Sequence, residues 1–364
     1  MQPLSIFLAA APGLEPLLAE EAGALGFAAR AVPGGVEVAG GWPEVWRANL
    51  EIRGAARVLV RVAEFRAMHP AQLDKRARKV DWRAWLRPGV PVTVEASARK
   101  SRVYHKGAIA GRVAAAIRDQ IGPGTGGDPV RVLARIEDDL CTLSIDTSGA
   151  PLHRGGHKAF VGKAPMRETH AALFLRAVGY DGSQAVVDPM CGSGTFVIEA
   201  AEIAGGFQAG RSRGFAFERL ASFDPTAFDA LRRPGTVPAP RFFGSDRDQG
   251  AVAGAARNAE AAGVAAACRF ERRALSEIAP PDGPQGLVIV NPPYGARIGN
   301  RKALFSLYGA FGAVMRDRFA GWRVGLVTSD GGLAKATGLP WESPLGPVDL
   351  GGTKVRLWQC DVGS

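Results

Sequence analysis

From about residue 166 onward, short apolar runs alternate with stretches of helical spacing, and this alternation predicts a parallel, doubly wound α/β sheet. The runs are Ala185–Asp188, Arg241–Gly244, Cys268–Phe270, Leu287–Val290 and Val324–Val327. Strands of this kind are apolar on both faces, so they need helices on both sides. A last strand pair is expected at Val348–Leu350 and Lys354–Gln359.

The first 150 residues read differently. Ser5–Ala11 predicts a strand, Leu14, Leu17, Leu18 and Leu25 share a helical face, and Val36–Val38 alternates like a strand. A helix over Trp42–Ile52 and a strand over Val58–Val62 complete a small β-α-β-α-β unit. Further on, Val92–Ala96 predicts a strand, Gly107–Gln120 a helix, and Val130–Ile136 with Leu140–Ile145 a hairpin around Glu137, Asp138 and Asp139. Residues 151–165 are rich in Gly, Pro and Lys and read as a connection. The expected organisation is therefore a domain at 1–66, a second at 67–150, a linker at 151–165 and a third domain at 166–364.

Charge points to a polyanionic partner. The 364 residues hold 45 Lys plus Arg against 35 Asp plus Glu, a formal charge of +10. Residues 75–118 alone contain twelve Lys or Arg and only Asp81 and Glu95 as acids, so this window carries as much net charge as the whole chain. Trp82, Trp85 and Tyr104 lie among the charges. RNA-binding surfaces combine cations for phosphates with aromatic faces for unpaired bases. Lys75, Arg76, Lys79, Arg99, Lys100, Arg102, Tyr104, Lys106 and Arg112 are the candidate RNA contacts, whereas Trp82 and Trp85 read as core. No apolar run approaches the roughly 18–20 residues of a membrane span. The start lacks the basic segment of a signal peptide. Four cysteines, far apart and without CxxC spacing, fit reduced thiols in a cytoplasm.

Two motifs carry chemistry. The first runs from Asp188 through Met190, Gly192 and Gly194 to Thr195, between an apolar strand and a helix. Such a glycine turn lets a ligand approach the backbone at the carboxyl end of a sheet. Val197 stands where a dinucleotide site would need a third glycine, which argues against a dehydrogenase, and no GK[ST] marks a P-loop. About fifty residues on, a second strand ends in Asp246, Arg247 and Asp248. A carboxylate there can accept both hydroxyls of a ribose. Asp246 is the candidate, and Asp248 reads as the cap of the helix that follows.

The second motif is Asn291-Pro292-Pro293-Tyr294, directly after the strand Leu287–Val290. Two prolines fix two φ angles and remove two N–H donors. The Asn291 side-chain oxygen and the Pro292 carbonyl can then form a rigid pair of acceptors, with Tyr294 as a flat face for a base. An exocyclic amine on a nucleobase is a poor nucleophile, because its lone pair is delocalised into the ring. Two acceptors on its hydrogens favour a pyramidal nitrogen and aim the lone pair. His153 and His157 are spaced i, i+4, but intervening glycines and the lack of a third ligand argue against metal. Cys191 has no activating partner and reads as packing.

These residues resemble the class I S-adenosylmethionine-dependent methyltransferases, and in particular the RNA guanine-N2 methyltransferases that carry a THUMP domain. The likeness covers nearly the whole chain. Phe7–Glu15 resembles the opening of the family's ferredoxin-like domain, and Lys100–Ile109 the signature of the THUMP domain. Leu152–His157 and Ala164–Thr169 resemble the entry to the catalytic domain, and Asp349–Val355 its last hairpin. The likeness is greatest to bacterial enzymes that methylate large-subunit rRNA. It implies a Rossmann-like, seven-stranded, mostly parallel sheet preceded by a ferredoxin-like/THUMP module. It implies that Asp188, Gly192 and Gly194 surround the methionine part of the cofactor, with Met190, Thr195 and Arg247 in the same cradle, and that Asp246 holds the ribose. Asn291, Pro292, Pro293 and Tyr294 would grip and stack a guanine, with Asn291 also bordering the cofactor. One position departs from the pattern: Ala274 stands where the family often has an Asp against the cofactor adenine, which implies adenine contacts through backbone alone or a lower cofactor affinity.

Other readings share parts of this pattern. The same grip serves adenine N6 of DNA, THUMP domains also occur on tRNA enzymes, and a non-catalytic RNA-binding or assembly protein could keep the fold. The basic arm argues against DNA, and the intact grip and glycine turn argue against lost catalysis.

Overall fold

The computed structural model describes residues 3–155, 166–294 and 301–363. Residues 156–165, which make up most of the expected linker and include His157, and Gly295 lie outside the described residues.

The first half runs β1 (Leu4–Ala9), α1 (Glu15–Ala24), β2 (Ala29–Val32), β3 (Gly35–Gly40), α2 (Trp42–Glu51), β4 (Arg57–Arg66), α3 (Pro70–Ala77), β5 (Val92–Arg99), α4 (Lys106–Ile121), β6 (Val130–Glu137) and β7 (Leu140–Asp146). The second half runs α5 (Glu168–Ala177), β8 (Val186–Asp188), α6 (Thr195–Ala204), α7 (Pro225–Asp229), β9 (Phe242–Asp246), α8 (Gln249–Ala262), β10 (Cys268–Arg272), β11 (Leu287–Val290), α9 (Arg301–Arg318), β12 (Arg323–Thr328), α10 (Gly331–Ala336), β13 (Leu345–Leu350) and β14 (Thr353–Asp361). Two compact units result. One gathers Met1–Ala10, Ala19–Leu152 and Arg213–Arg232; the other gathers Ala11–Leu18, His153–Ser212 and Arg233–Ser364.

Among the described residues the first unit has one seven-stranded sheet, in the order β2-β3-β1-β4-β7-β6-β5. Antiparallel pairing of β4 with β7, from Leu59 opposite Asp146 to Arg66 opposite Leu140, makes the sheet continuous from the first 66 residues into the next 84. The strand β2 is absent from the sequence reading. It is a short edge strand none of whose four residues is fully buried, so it shows no apolar face to detect. The hairpin between β6 and β7 turns on Asp138 and Asp139, both at positive φ (49° and 63°), the backbone that a two-residue turn of this hand requires.

The core of the first unit includes a segment from far along the chain. Phe215, Phe217, Leu220 and Phe228 pack with Trp46, Trp82 and Leu86. Phe215 stacks on Phe217 at 4.9 Å, and Phe228 meets Phe217 edge-on at 5.0 Å. Leu86 also forms a bridge with Leu220. Trp82 is fully buried and donates Nε1–H to the Ala77 carbonyl at 2.9 Å, and Trp85 lies edge-on to Trp42 at 6.1 Å. Both tryptophans are therefore packing residues.

The second unit holds a seven-stranded sheet in the order β10-β9-β8-β11-β12-β14-β13. β10, β9, β8, β11 and β12 run parallel to one another, and β14 returns antiparallel between β12 and β13. This is the mostly parallel, doubly wound sheet expected from the alternation of apolar runs and helices. Its β11 face is packed by Tyr308, Phe311 and Met315 of α9.

Candidate functional site

The sheet order reverses direction between β8 and β11, which are parallel neighbours paired at Val186–Leu287 and Val187–Val288. A crevice outside the carboxyl ends of such strands is the general ligand position of this architecture. Asp188 ends β8, Asp246 ends β9 and Asn291 directly follows β11, so three adjacent strands deliver three polar side chains to one edge.

The turn after β8 is built by its glycines. Gly192 and Gly194 have φ of +53° and +78°, a region that costs other residues strain. The two serve different ends. A Cβ on Gly194 would lie 3.0 Å from both Ala255 and Phe270, so this position is closed by packing. A Cβ on Gly192 would meet nothing within 4 Å, so the backbone there borders open space. Three bonds fix the turn. Cys191 N–H donates to the Ser245 carbonyl at 2.9 Å, and Gly192 N–H to Asp246 Oδ2 at 3.1 Å. From α8, the buried Asn258 donates Nδ2–H to the Ser193 carbonyl at 3.0 Å. Asn258 is absent from the sequence reading; the available signal was a polar residue on the Ala255–Ala259–Ala262 face of that helix. Thr195 opens α6, with its hydroxyl 3.2 Å from that of Ser193. Met190 packs at the edge of the second unit's core. Cys191 is buried, which pushes its thiol well up and fits packing rather than nucleophilic chemistry.

Two carboxylates flank this turn. Asp188 is buried and accepts the Met190 N–H at 3.1 Å through Oδ1. Burial, reinforced by the nearby Asp246 charge and opposed by that hydrogen bond, pushes its carboxyl up to about 8. Asp246 accepts the Asp248 N–H at 3.0 Å on Oδ1, in addition to Gly192 on Oδ2. Asp248 caps α8 through the Gly250 N–H at 2.8 Å. Arg247 is exposed, and its carbonyl accepts from Arg272 Nε at 3.3 Å. At the end of β10, the Ala274 N–H is already donated to Glu277 Oε2 at 3.1 Å. A ligand contact through that particular amide would have to displace Glu277. Open space at Gly192, a carboxylate ending β9 and a buried acid ending β8 together fit a nucleoside with a cationic tail.

The Asn-Pro-Pro-Tyr segment leaves β11 beside this cradle. Asn291 Oδ1 is buried and has no hydrogen-bond partner among the described residues. An amide oxygen left so costs about 1–3 kcal/mol, which makes it an acceptor without its donor. Pro292 is buried, Pro293 exposed and Tyr294 half-buried against the second unit's core, where burial raises its phenol. Behind the turn, the buried Tyr308 hydroxyl lies 3.3 Å from the Pro293 carbonyl oxygen and 3.2 Å from Thr328 Oγ1. Tyr308, too, lies outside the sequence reading, because nothing local ties residue 308 to residue 293.

The RNA-contact candidates all lie in the first unit and are exposed. They are not equivalent. Arg99 is ion-paired to Glu137 and has its guanidinium held further protonated by it. The Arg102 backbone N–H donates to Asp139 Oδ1 at 2.7 Å, with the guanidinium 3.8 Å from Oδ2. Arg76 lies over the Phe65 ring at 5.9 Å. The residues next to Arg99 and Arg102 in sequence hold no acid, but the β6–β7 hairpin brings Glu137 and Asp139 to them. Tyr104 is 74% exposed, and Lys75, Lys79, Lys100, Lys106 and Arg112 make no ion pair among the described residues. No group of His, Cys, Asp and Glu among the described residues could hold a metal ion. No helix there is long and apolar enough to cross a membrane.

Comparison with known proteins places this geometry. Residues 5–59 match the RlmL ferredoxin-like domain, residues 70–146 the THUMP domain and residues 155–341 the RMKL-like methyltransferase domain. Ribosomal RNA large subunit methyltransferase K/L of Syntrophotalea carbinolica is 37% identical over 99% of this chain, which covers 54% of that protein. The chain thus spans about half the length of the K/L relatives it matches. Synechocystis slr0064, named as a candidate RNA methyltransferase, is 31% identical over 98% of this chain and 96% of its own length. Among solved structures, SMU.472, a candidate methyltransferase complexed with SAH, has a TM-score of 0.90 at 26% identity, covering 100% of this chain and 99% of that one. The chain belongs to the RMKL-like methyltransferases, with an RlmL-type ferredoxin-like domain and a THUMP domain ahead of the catalytic sheet.

Proposed function

We propose that this chain methylates the exocyclic N2 of a guanine in RNA, with S-adenosylmethionine as cofactor and 23S rRNA as substrate. The observation that carries the reading is the buried Asn291 Oδ1 at the switch point of the sheet, which has no hydrogen-bond partner among the described residues. A buried acceptor without a donor matches an amine N–H.

When bound, the cofactor supplies a methyl carbon on a cationic sulfur. Asp246 would hold its ribose, the space over Gly192 its chain, and Asp188 its ammonium end. Asn291 Oδ1 and the Pro292 carbonyl accept the two hydrogens of the guanine amine, and Tyr294 stacks on the base. This draws the nitrogen lone pair out of the ring and aims it. The new N–C bond would replace the methyl–sulfur bond, with S-adenosylhomocysteine leaving, and the amine proton, acidic only as that bond forms, would pass to water, so positioning and electrostatics do the work without a strong base. The basic arm in the first unit would supply phosphate contacts. The K/L names of the relatives support rRNA as the target.

The test is transfer of tritium from labelled S-adenosylmethionine to total RNA of a strain lacking the gene, with size separation and nucleoside analysis. Label in N2-methylguanosine of large rRNA is the expected result. Label in tRNA would keep the mechanism and overturn the substrate. Label in N6-methyladenine of DNA would overturn both. No label in either nucleic acid, with cofactor still bound, would make this a binding protein.

A further inference from the structure

A turn containing two consecutive prolines cannot anchor itself through its own amides, because neither residue has an N–H to donate. Only its carbonyls can be held from outside. In the grip reading, the Pro292 carbonyl must face the amine, so it cannot serve as the anchor. The Pro293 carbonyl is the next available group, and the Tyr308 hydroxyl lies 3.3 Å from it. The phenol is 1% exposed and projects from α9 behind the turn.

Tyr308 is itself fixed. Its hydroxyl lies 3.2 Å from Thr328 Oγ1, at the carboxyl end of β12, and Thr328 is equally buried. Thr328 Oγ1 in turn accepts the Asp330 N–H at 3.3 Å, where Asp330 caps α10. The Tyr308 hydroxyl has one proton for two acceptors, the Pro293 carbonyl and Thr328 Oγ1; when Thr328, which accepts the Asp330 N–H, turns its own hydroxyl to the Tyr308 oxygen, the Tyr308 proton goes to Pro293. Burial, outweighing the Thr328 bond, raises the phenol further above its ordinary range, so it keeps its proton at any working pH. The line joins the end of β12 to the turn after β11, two adjacent parallel strands.

We infer that Tyr308 is a positioning residue for methyl transfer, one that pins the Pro293 carbonyl so that Asn291 Oδ1 and the Pro292 carbonyl converge on the substrate amine. This rests on the grip reading above. Tyr308 touches neither substrate nor cofactor; it acts through the turn.

The test compares Tyr308→Phe, Thr328→Val, Asn291→Ala and the Tyr308→Phe/Asn291→Ala double variant. Single-turnover transfer to RNA from a strain lacking the gene is measured at saturating cofactor, beside calorimetric binding of S-adenosylhomocysteine. Tyr308→Phe should slow transfer by about tenfold or more, the scale expected when a reacting group is slightly misplaced, with the dissociation constant unchanged within about twofold. Thr328→Val should cause a smaller loss in the same direction. Tyr308→Phe should cost little more once Asn291 is already Ala, since both act on one geometry. A purely structural role would instead weaken cofactor binding in step with transfer, or add its full cost in the double variant, and either result overturns the inference. Full transfer by Tyr308→Phe beside an inactive Asn291→Ala overturns it while sparing the grip. Full transfer by Asn291→Ala overturns the grip reading and this inference together.

Discussion

Gly192 and Asp246 are 54 residues apart in the chain, yet the Gly192 N–H donates to Asp246 Oδ2 at 3.1 Å. The carboxylate that ends β9 therefore also shapes the turn after β8. Its other oxygen takes the Asp248 N–H at 3.0 Å. An amide at this position accepts through one oxygen only, and its NH2 group would face one of the two donors. Asp246→Asn should weaken S-adenosylhomocysteine binding by about 10- to 100-fold, since hydrogen bonds to a charged group contribute about 1.5–3 kcal/mol. Isothermal titration calorimetry measures this, and an unchanged affinity would remove Asp246 from the cofactor cradle.

Asp188 makes a pH prediction. An unfolded Asp titrates near 3.9, whereas burial raises the folded group to about 8. The folded state thus holds a proton that the unfolded state has lost. The stability linked to this group is fully present below the unfolded value and is lost as pH rises toward about 8. Asp188→Asn should therefore flatten the fall in melting temperature between acid and mildly alkaline pH. A cationic ligand favours the ionised form, so cofactor binding near neutral pH should release a proton. Calorimetry in two buffers of different ionisation enthalpy counts that proton. An unaltered slope in the variant together with no proton release would mean that Asp188 is already ionised.

Legibility followed burial. β8 and β11 are buried on both faces and β9 nearly so, so each reads as an apolar run, and the polar residue at or just past its end marks the site edge. Asp188, Asp246 and Asn291 could be found this way. The edge strand Ala29–Val32 could not, because it buries little. Residues 213–232 have obvious aromatics, but spacing does not say which core receives them. The pairing of Arg99 with Glu137 spans 38 residues, and that of Tyr308 with Pro293 spans 15. A local charge count misses the first, and a motif search misses the second. That Asn291 Oδ1 lacks a donor is a property of the folded surroundings alone.

The basic arm yields a graded prediction. Lys100 and Lys106 are exposed, whereas the Arg99 charge is already offset by Glu137. Each phosphate contact contributes a slope of about 0.7–0.9 to the salt dependence of binding. Replacing Lys100 and Lys106 together by Ala should lower the slope of log affinity against log salt by about 1.4–1.8, and Arg99→Ala by clearly less. Fluorescence anisotropy with labelled rRNA fragments across a salt series reads both. An equal or larger effect from Arg99→Ala would place the RNA on the Glu137 side of the arm instead.

Phe217 tests the excursion into the first unit. Its ring is fully buried, with Phe215 at 4.9 Å, Phe228 at 5.0 Å and Trp46 at 6.4 Å. Its backbone N–H donates to the Thr147 carbonyl at 3.0 Å, at the end of β7. Phe217→Ala removes the centre of this aromatic group and leaves a cavity that neighbouring rings cannot fill without shifting. The expected loss of stability is about 3–5 kcal/mol. Phe223 is only partly buried at the rim of the same cluster, so Phe223→Ala should cost less. Denaturant titrations followed by tryptophan fluorescence would report the change through Trp46 and Trp82, both in this core. A loss below about 1 kcal/mol for Phe217→Ala would mean that residues 213–232 add little to the core, since a well-packed aromatic costs several times that.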